Sequence, residues 1–341
     1  MASSVQAPGA VVMVRPHRFR PNPDTAADNA FQRGPGAGAD AVARAAHAEV
    51  TAVAARLEAE GVRVHLFEDD GSRDTPDSVF PNNWFSTHAG GHVAIFPMHA
   101  PSRRRERRAD VIDLLKACYR VQDVIDYSGL EPDGLFLEGT GAMVLDHAAR
   151  IAYTARSNRA DAVALERFCT HFNFEPMVFD TADAAGRPIY HTNVIMCVAT
   201  EFALVGLGLL TDRARAEAVR ARLRESGREV IELADGQVGE FAGNALELAG
   251  HGGRLLAMSQ RGVDSLTPAQ KRAIGRSCRL VGLRVPTVEL AGGSVRCMLA
   301  GIHLAARPAA AVKVAARSPT PPASSRSSTD SPSCAAATAE R

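Results

Sequence analysis

No stretch of the sequence approaches the ~18 consecutive apolar residues of a membrane span, so the chain is not expected to cross a bilayer. The opening residues, Met1 to Pro8, have neither the basic start nor the apolar run of a signal peptide, and none is expected. Cysteine is scarce: Cys118, Cys169, Cys197, Cys278, Cys297 and Cys334 are the six in 341 residues, and none forms a C-x-x-C pair. That is too few for a disulfide scaffold and points to a reducing, cytoplasmic setting. Charge of one sign is not in excess, since 39 Lys+Arg against 38 Asp+Glu leave a formal +1. A polyanion-binding protein would carry a clear basic surplus, so nucleic acid is not an expected partner. The run Ser102–Arg108 (SRRRERR) does not alter this, because Glu106 interrupts it and it reads as the solvated start of a helix. Cys169 and His171 lack a second pair of ligands, and Gly206-Leu207-Gly208 lacks a third glycine. Neither a metal nor a dinucleotide cofactor is therefore expected.

What is present is ordinary for a soluble globular chain: 46% hydrophobic and 23% charged residues. From Arg307 the sequence turns to Ala, Pro, Ser, Thr and Arg without apolar periodicity, and residues 307–341 read as a disordered tail. The folded part is then 10–306. Inside it one order of elements recurs. A helix such as Ala39–Glu60 is followed by a strand (Val62–Glu68) and then by two short strands (Trp84–His88 and His92–Met98). Further rounds begin at helices Arg104–Tyr119, Arg159–Phe172, Asp212–Ser226 and Thr267–Cys278, and the round from Arg159 is read with a strand at Thr192–Ala199. The last round is read with strands Arg284–Leu290 and Val295–Leu299, and its final strand is expected from the start of the chain, Val11–Arg15. Five units of about 50 residues suggest a closed repeat architecture.

The segment before the second strand of each unit carries a polar residue: Asn83, Glu138, His191, Asn244 and Cys297, at spacings of 55, 53, 53 and 53. Equal phase around five units would gather these side chains at one axis. A thiol with an imidazole and a carboxylate is equipment for nucleophilic catalysis, in which the thiolate attacks and the imidazole moves protons. Each residue alone has a blander explanation, namely a small core cysteine, a solvated histidine, or an asparagine in a turn. The shared phase is what favours an active site. Asn244 is read as satisfying backbone groups near the axis.

The segments PDSVFPNNWFST (76–87), APSRRRE (100–106), LEGTG (137–141), Ser157-Asn158-Arg159, YHTN (190–193) and GGSVRCM (292–298) occur together and in order. In this they resemble the guanidine-modifying superfamily of arginine deiminases, dimethylarginine dimethylaminohydrolases, agmatine deiminases and glycine amidinotransferases. The resemblance spans roughly Val11–Leu304. It implies an α/β fold of the five-bladed, pseudo-symmetric propeller type (the pentein fold), with no cofactor. It further implies Cys297 as nucleophile, His191 as general acid/base and Glu138 as the accompanying carboxylate. Arg103 and Arg159 match arginines that grip a substrate α-carboxylate, and Asp77 matches a contact to the α-amino group.

The departures bear on the substrate. Where relatives present acids to a guanidinium, this chain has Asn82 and Asn83; where deiminases have His-x-Asp, it has His191 and Asn193; and Gly141 replaces another acid. An amide offers a donor and an acceptor without charge, which suits a neutral ureido group better than a cation. The sequence looks most like the citrulline-utilisation hydrolases, for which the implied reaction is citrulline to ornithine, carbon dioxide and ammonia. A ureido or guanidino amino acid is the expected small-molecule partner, and a homo-oligomer is an open possibility. The competing readings are a deiminase-type hydrolase or amidinotransferase acting on arginine or a methylarginine, and a propeller that binds without catalysis. Because the tail lacks core-forming residues, a chain ending at Ala306 is expected to keep its turnover, and loss of activity on that truncation would contradict the tail assignment.

Overall fold

The structure, a computed structural model, describes residues 5–34 and 36–308. The Pro/Ser/Ala-rich stretch expected as a tail lies, from residue 309 onward, outside the described residues. Arg307, read as its first residue, still belongs to the fold: its backbone N–H donates to Cys118 O and its Nε to Tyr119 O, each at 2.9 Å. Met1–Arg307 forms one compact unit.

The chain builds five three-stranded sheets of one design. In each, an antiparallel pair is extended by a third strand parallel to the middle one. The sheets are Ala300–Gly301, Ala10–Pro16, Arg63–Asp69; Phe85–His88, His92–Ile95, Asp123–Asp126; Met143–Asp146, Ile151–Ala155, Glu175–Phe179; Met196–Val198, Phe202–Val205, Glu229–Glu232; and Leu246–Gly250, Gly253–Ser259, Arg279–Leu283. The middle strands Ile151–Ala155 and Phe202–Val205 are buried throughout, as strands flanked and covered on both faces must be. The first sheet joins the two ends of the fold, with Val11 opposite Gly301 and Val12 opposite Ala300.

The grouping differs from the expected one. A helix joins the middle strand to its parallel neighbour within one sheet, because parallel strands need a crossover connection. The unit is thus hairpin, helix, strand. Ala39–Ala59 serves Ala10–Pro16 and Arg63–Asp69, while the hairpin 85–95 belongs with the next helix, Ala109–Cys118. Ala39–Ala59 buries Val42, Ala46, Val50, Val53 and Leu57, one stripe at helical spacing, against the sheets.

Four assignments move. The expected strand Arg284–Leu290 is a loop with a one-turn helix, Val288–Ala291. The strand lies earlier, at Arg279–Leu283, in register with Leu255–Ser259, and Pro286 beyond it has no N–H to give a ladder. Val295–Leu299 is likewise a helical turn, Val295–Met298, as is the start of the expected strand Thr192–Ala199, at Thr192–Ile195. The long helix expected from Arg104 starts at Ala109, after a separate turn at Pro101–Arg104.

Sheets are tied by buried polar clips as well as by apolar packing. Asp146 closes the strand Met143–Asp146 and pairs with Arg228, which precedes Glu229–Glu232, at 2.7 and 2.8 Å; their side chains are 0% and 3% exposed. Asp146 Oδ1 also accepts the N–H groups of Ala148 and Ala149 in the turn that follows. Removing one partner strands a buried charge. Asp146→Ala is expected to destabilise the fold by about 3–5 kcal/mol in urea unfolding, far more than an exposed pair such as Arg156–Asp180 would lose.

Candidate active site

Helical turns, rather than strand starts, present the equally spaced residues. Asn83 ends the turn Pro81–Asn83, Glu138 and His191 cap Gly139–Ala142 and Thr192–Ile195, and Cys297 lies in Val295–Met298. Each turn bends the backbone inward just before its hairpin. Asn244 occupies the same place in a bend closed by its N–H to Phe241 O. Two glycines permit the close approach. Gly139, at φ +46°, has Asn82 O and Asn83 O where a side chain would begin, at 2.6 and 2.7 Å. At Gly141 a Cβ would run into the Asn83 amide and lie 2.8 Å from the His191 ring. The acid missing from this position is thus replaced by the Asn83 side chain itself.

All five residues of this phase are buried, at no more than 2% exposure. Glu138 is the hub. Its Oε2 accepts from His191 Nε2 at 2.9 Å and lies 3.4 and 3.5 Å from Nη1 of Arg103 and of Arg159. Its Oε1 accepts the His99 N–H at 3.0 Å. Burial opposes its charge, but Arg159, the His191 hydrogen bond and Arg103 together hold the carboxyl well below the usual range. Since that carboxylate only accepts, His191 Nε2 carries the proton and Nδ1 is left as the free acceptor. Burial pushes the imidazole down to about 4 against the pull of Glu138, so it is neutral at physiological pH.

Cys297 Sγ accepts from two amides, Asn193 Nδ2 and Asn244 Nδ2, each at 3.3 Å. Asn244 also satisfies backbone as expected, bonding Asn193 O at 2.9 Å and accepting the Arg296 N–H at 3.0 Å. Its contact with the thiol was not foreseen. Asn193 stands behind the sulfur rather than on the cavity wall, and its Oδ1 has no protein partner.

The cavity above the thiol holds about 240 Å3 of empty space, its open mouth included, and is lined by, among others, Asp77, Asn83, Arg103, Arg159, His191 and Cys297. Asn82, expected at the substrate, sits behind Asn83. It bonds Thr140 at 3.3 Å, and its Oδ1 accepts from Asn83 Nδ2 at 3.1 Å when the Asn83 oxygen faces Arg103. In that orientation the Asn83 oxygen receives both terminal nitrogens of Arg103, at 2.9 and 3.1 Å.

The two arginines already have carboxylate partners. Arg103 forks onto Glu106 at 2.9 and 3.0 Å, so it supports Asn83 and Glu138 rather than offering a free fork to a ligand. Arg159 forks onto Asp28 and lies 4.7 Å over the Tyr190 ring. Asp28 is 23% exposed, so this pair is the one that an incoming carboxylate can exchange with. Asp77 accepts from Asn22 at 2.9 Å through Oδ2, while its buried Oδ1 is unpartnered. Burial raises Asp77 and pushes Glu106 up to about 8, against the opposing pull of Arg103 in both. Asp28, Glu106 and Tyr190 escaped the sequence reading. Glu106 is one turn after Arg103 and Tyr190 precedes His191, which are usable hints; Asp28 meets Arg159 across 131 residues and leaves no local signal.

Fold and site together define a member of the guanidine-modifying α/β superfamily. Residues 15–304 match the family model described as N,N dimethylarginine dimethylhydrolase, eukaryotic, and the chain belongs to that family. No curated protein matches. Among solved structures, the N-terminal domain of ArgZ covalently bound to a reaction intermediate aligns with TM-score 0.66 at 14% identity, over 86% of this chain and 97% of that one. ArgZ is described as an arginine dihydrolase from the ornithine–ammonia cycle in cyanobacteria. Unliganded AgrE aligns with TM-score 0.67 at 17% identity, over 88% of this chain but 40% of its own. A dimethylarginine dimethylaminohydrolase adduct with S-methyl-L-thiocitrulline aligns with TM-score 0.57 at 14% identity, over 86% and 99%. At such identities these structures establish the shared fold.

The neutral His191 carries a stability signature. Its folded pKa, about 4, lies below the ordinary 6.5, so between these values the unfolded chain binds the proton that the folded chain refuses. Stability attributable to His191 is full above pH 6.5 and is lost as pH falls towards 4. Relative to His191→Gln, the native protein should lose about 3 kcal/mol at most across that window in urea unfolding at stepped pH. A constant difference would contradict a neutral buried imidazole.

Proposed function

We propose that the chain is a cysteine-dependent hydrolase of the ureido group of citrulline, giving ornithine, carbon dioxide and ammonia. We take residues 10–306 as the catalytic domain and the five sheets as blades of a pseudo-symmetric propeller. The observation that carries the substrate choice is the charge state around the thiol. Asn83, Asn193 and Asn244 are neutral, His191 is neutral, and both oxygens of Glu138 are engaged by arginines, imidazole and backbone. Among the described residues Glu138 is already neutralised and Asp77 is the one acid lining the cavity, so with Asp77 taken by an α-ammonium no carboxylate is left for a guanidinium, and a desolvated cation without a partner is costly. A ureido carbonyl and its N–H groups need only neutral donors and acceptors.

In the proposed reaction Cys297 Sγ, as thiolate, adds to the ureido carbon. His191 Nδ1 takes up the proton that the thiol gives up and returns it to the departing nitrogen, so that one C–N bond breaks and a carbamoyl thioester remains on the sulfur. His191 then accepts a proton from water, whose oxygen attacks the thioester carbon. The C–S bond breaks, the proton on His191 passes to the sulfur, and the carbamic acid released decomposes to carbon dioxide and the second nitrogen product, ornithine or ammonia. Asp77, which lines the cavity and has a buried Oδ1 without a partner, suits the α-ammonium; Arg159 suits the α-carboxylate once it exchanges Asp28 for it.

A second reading, hydrolysis of arginine or a methylarginine, draws on the family model and on ArgZ, whose described substrate class is arginine. Incubating the protein separately with citrulline, arginine and dimethylarginine decides between them. Ornithine and ammonia from citrulline are expected, whereas citrulline formed from arginine would overturn the ureido assignment. Cys297→Ser should lower kcat by a factor on the order of 10^4 or more, and citrulline-treated protein should show a covalent adduct on Cys297 by mass spectrometry.

A further inference from the structure

Tyr190 ties Arg159 to the loop that bears Cys297. It is 4% exposed and lines the cavity above the thiol together with both residues. Two contacts bind it to Arg159. The guanidinium lies 4.7 Å over its ring. Ser157 Oγ donates to Tyr190 O at 2.9 Å and accepts the Arg159 N–H at 3.1 Å. On its other side the Tyr190 hydroxyl donates to Gly292 O at 2.6 Å. Gly292 lies in the bend 291–293, which leads into the turn Val295–Met298 and lines the cavity through Ala291 and Gly293. Asn29 Nδ2 grips the same bend at Ala291 O, at 2.9 Å, and a Cβ on Gly293 would stand 2.8 Å from the Phe80 ring. A tyrosine side chain has two rotatable bonds and a rigid ring, so the span from its ring face to its hydroxyl does not stretch.

We propose that Tyr190 is a specificity-determining residue: it fixes the separation of the Arg159 guanidinium from the thiol-bearing loop, and so the length of the substrate side chain that the site accepts. This role rests on the proposed function, in which Arg159 takes the α-carboxylate and Cys297 the ureido carbon. With those two groups held at a set distance, the reacting carbon meets the sulfur only when the number of methylenes between it and the carboxylate matches. One methylene more displaces that carbon by about 1 Å, a misplacement that costs on the order of a hundredfold in rate. The apolar part of the wall, the Phe80 and Tyr190 rings with Ala291, suits the methylenes themselves. Without the hydroxyl, Gly292 O loses this partner and the bend is freer to shift. The separation then adjusts to a longer side chain and holds the matching one less well.

The test compares kcat/KM for citrulline with that for homocitrulline, the same amino acid with one more methylene, in the full chain; arginine and homoarginine form a second pair. The native protein is expected to prefer the shorter member by a factor on the order of a hundred. Tyr190→Phe keeps the ring under Arg159 and loses one oxygen, and should narrow that preference about fivefold or more. Ser157→Ala loosens the same tie at its other end and should narrow the preference too; it decides alone if Tyr190→Phe does not fold. Equal losses on both members of a pair, as a merely structural role would give, would overturn the proposal, as would a native protein that does not distinguish the two lengths. Turnover of the guanidino pair in place of the ureido pair overturns the citrulline reading alone, and the preference is then read on that pair. Turnover of neither pair overturns both.

Discussion

The site depends on one carboxylate kept ionised at zero exposure. Glu138 has no water to solvate it, and an isolated charge in its place would take up a proton. Two guanidiniums, an imidazole and a backbone N–H supply what water does not. Because those partners come from separate segments of the chain, the charge can exist only when these parts are assembled. The ionised carboxylate in turn fixes the His191 tautomer, and that tautomer leaves a basic nitrogen free. Fold, protonation state and the capacity for acid–base work are thus one condition.

The remaining charges follow from the same burial. Arg103 and Arg159 serve four acids: Asp28, Asp77, Glu106 and Glu138. Two cations cannot neutralise four anions, and the structure resolves the surplus by placement. Asp28 is partly in solvent, Glu138 receives both arginines, and Asp77 and Glu106 are driven towards protonation. The centre is therefore near neutral while rich in hydrogen-bonding atoms. Arg103, the more deeply committed guanidinium, works as a positioning group for Asn83. Arg159 has only the partly exposed Asp28 to give up.

Much of this was legible from residue spacing. The phase shared by Asn83, Glu138, His191, Asn244 and Cys297 survives because each must leave its backbone at the same point before a hairpin, and a 53-residue unit repeats that point. The five helix positions were legible from apolar stripes such as Val42 to Leu57. The grouping of strands was not, because a helix followed by a strand reads the same whichever hairpin it serves; only the parallel pairing decides, and pairing is long-range. The turns at Thr192–Ile195 and Val295–Met298 read as strands because β-branched Val and Ile favour strands locally, and the inward side chain settles the matter. Asp28 and Glu106 were hidden because acids in polar stretches carry no periodicity.

The asparagines show how one residue type serves separate ends at one centre. Asn82 and Asn83 form a relay in which Thr140 fixes Asn82, Asn82 fixes the Asn83 nitrogen, and Arg103 fixes its oxygen. Asn193 and Asn244 instead converge on sulfur. An Asp at either of these two positions would set a carboxylate against a thiolate, and the repulsion would disfavour the attacking form. The amides thus do more than suit the neutral substrate proposed above. They give the sulfur two hydrogen-bond donors without adding a negative charge beside Glu138, which the two arginines neutralise. The substrate proposed above and the surroundings of the sulfur thus share one electrostatic requirement, met by replacing charge with hydrogen bonds.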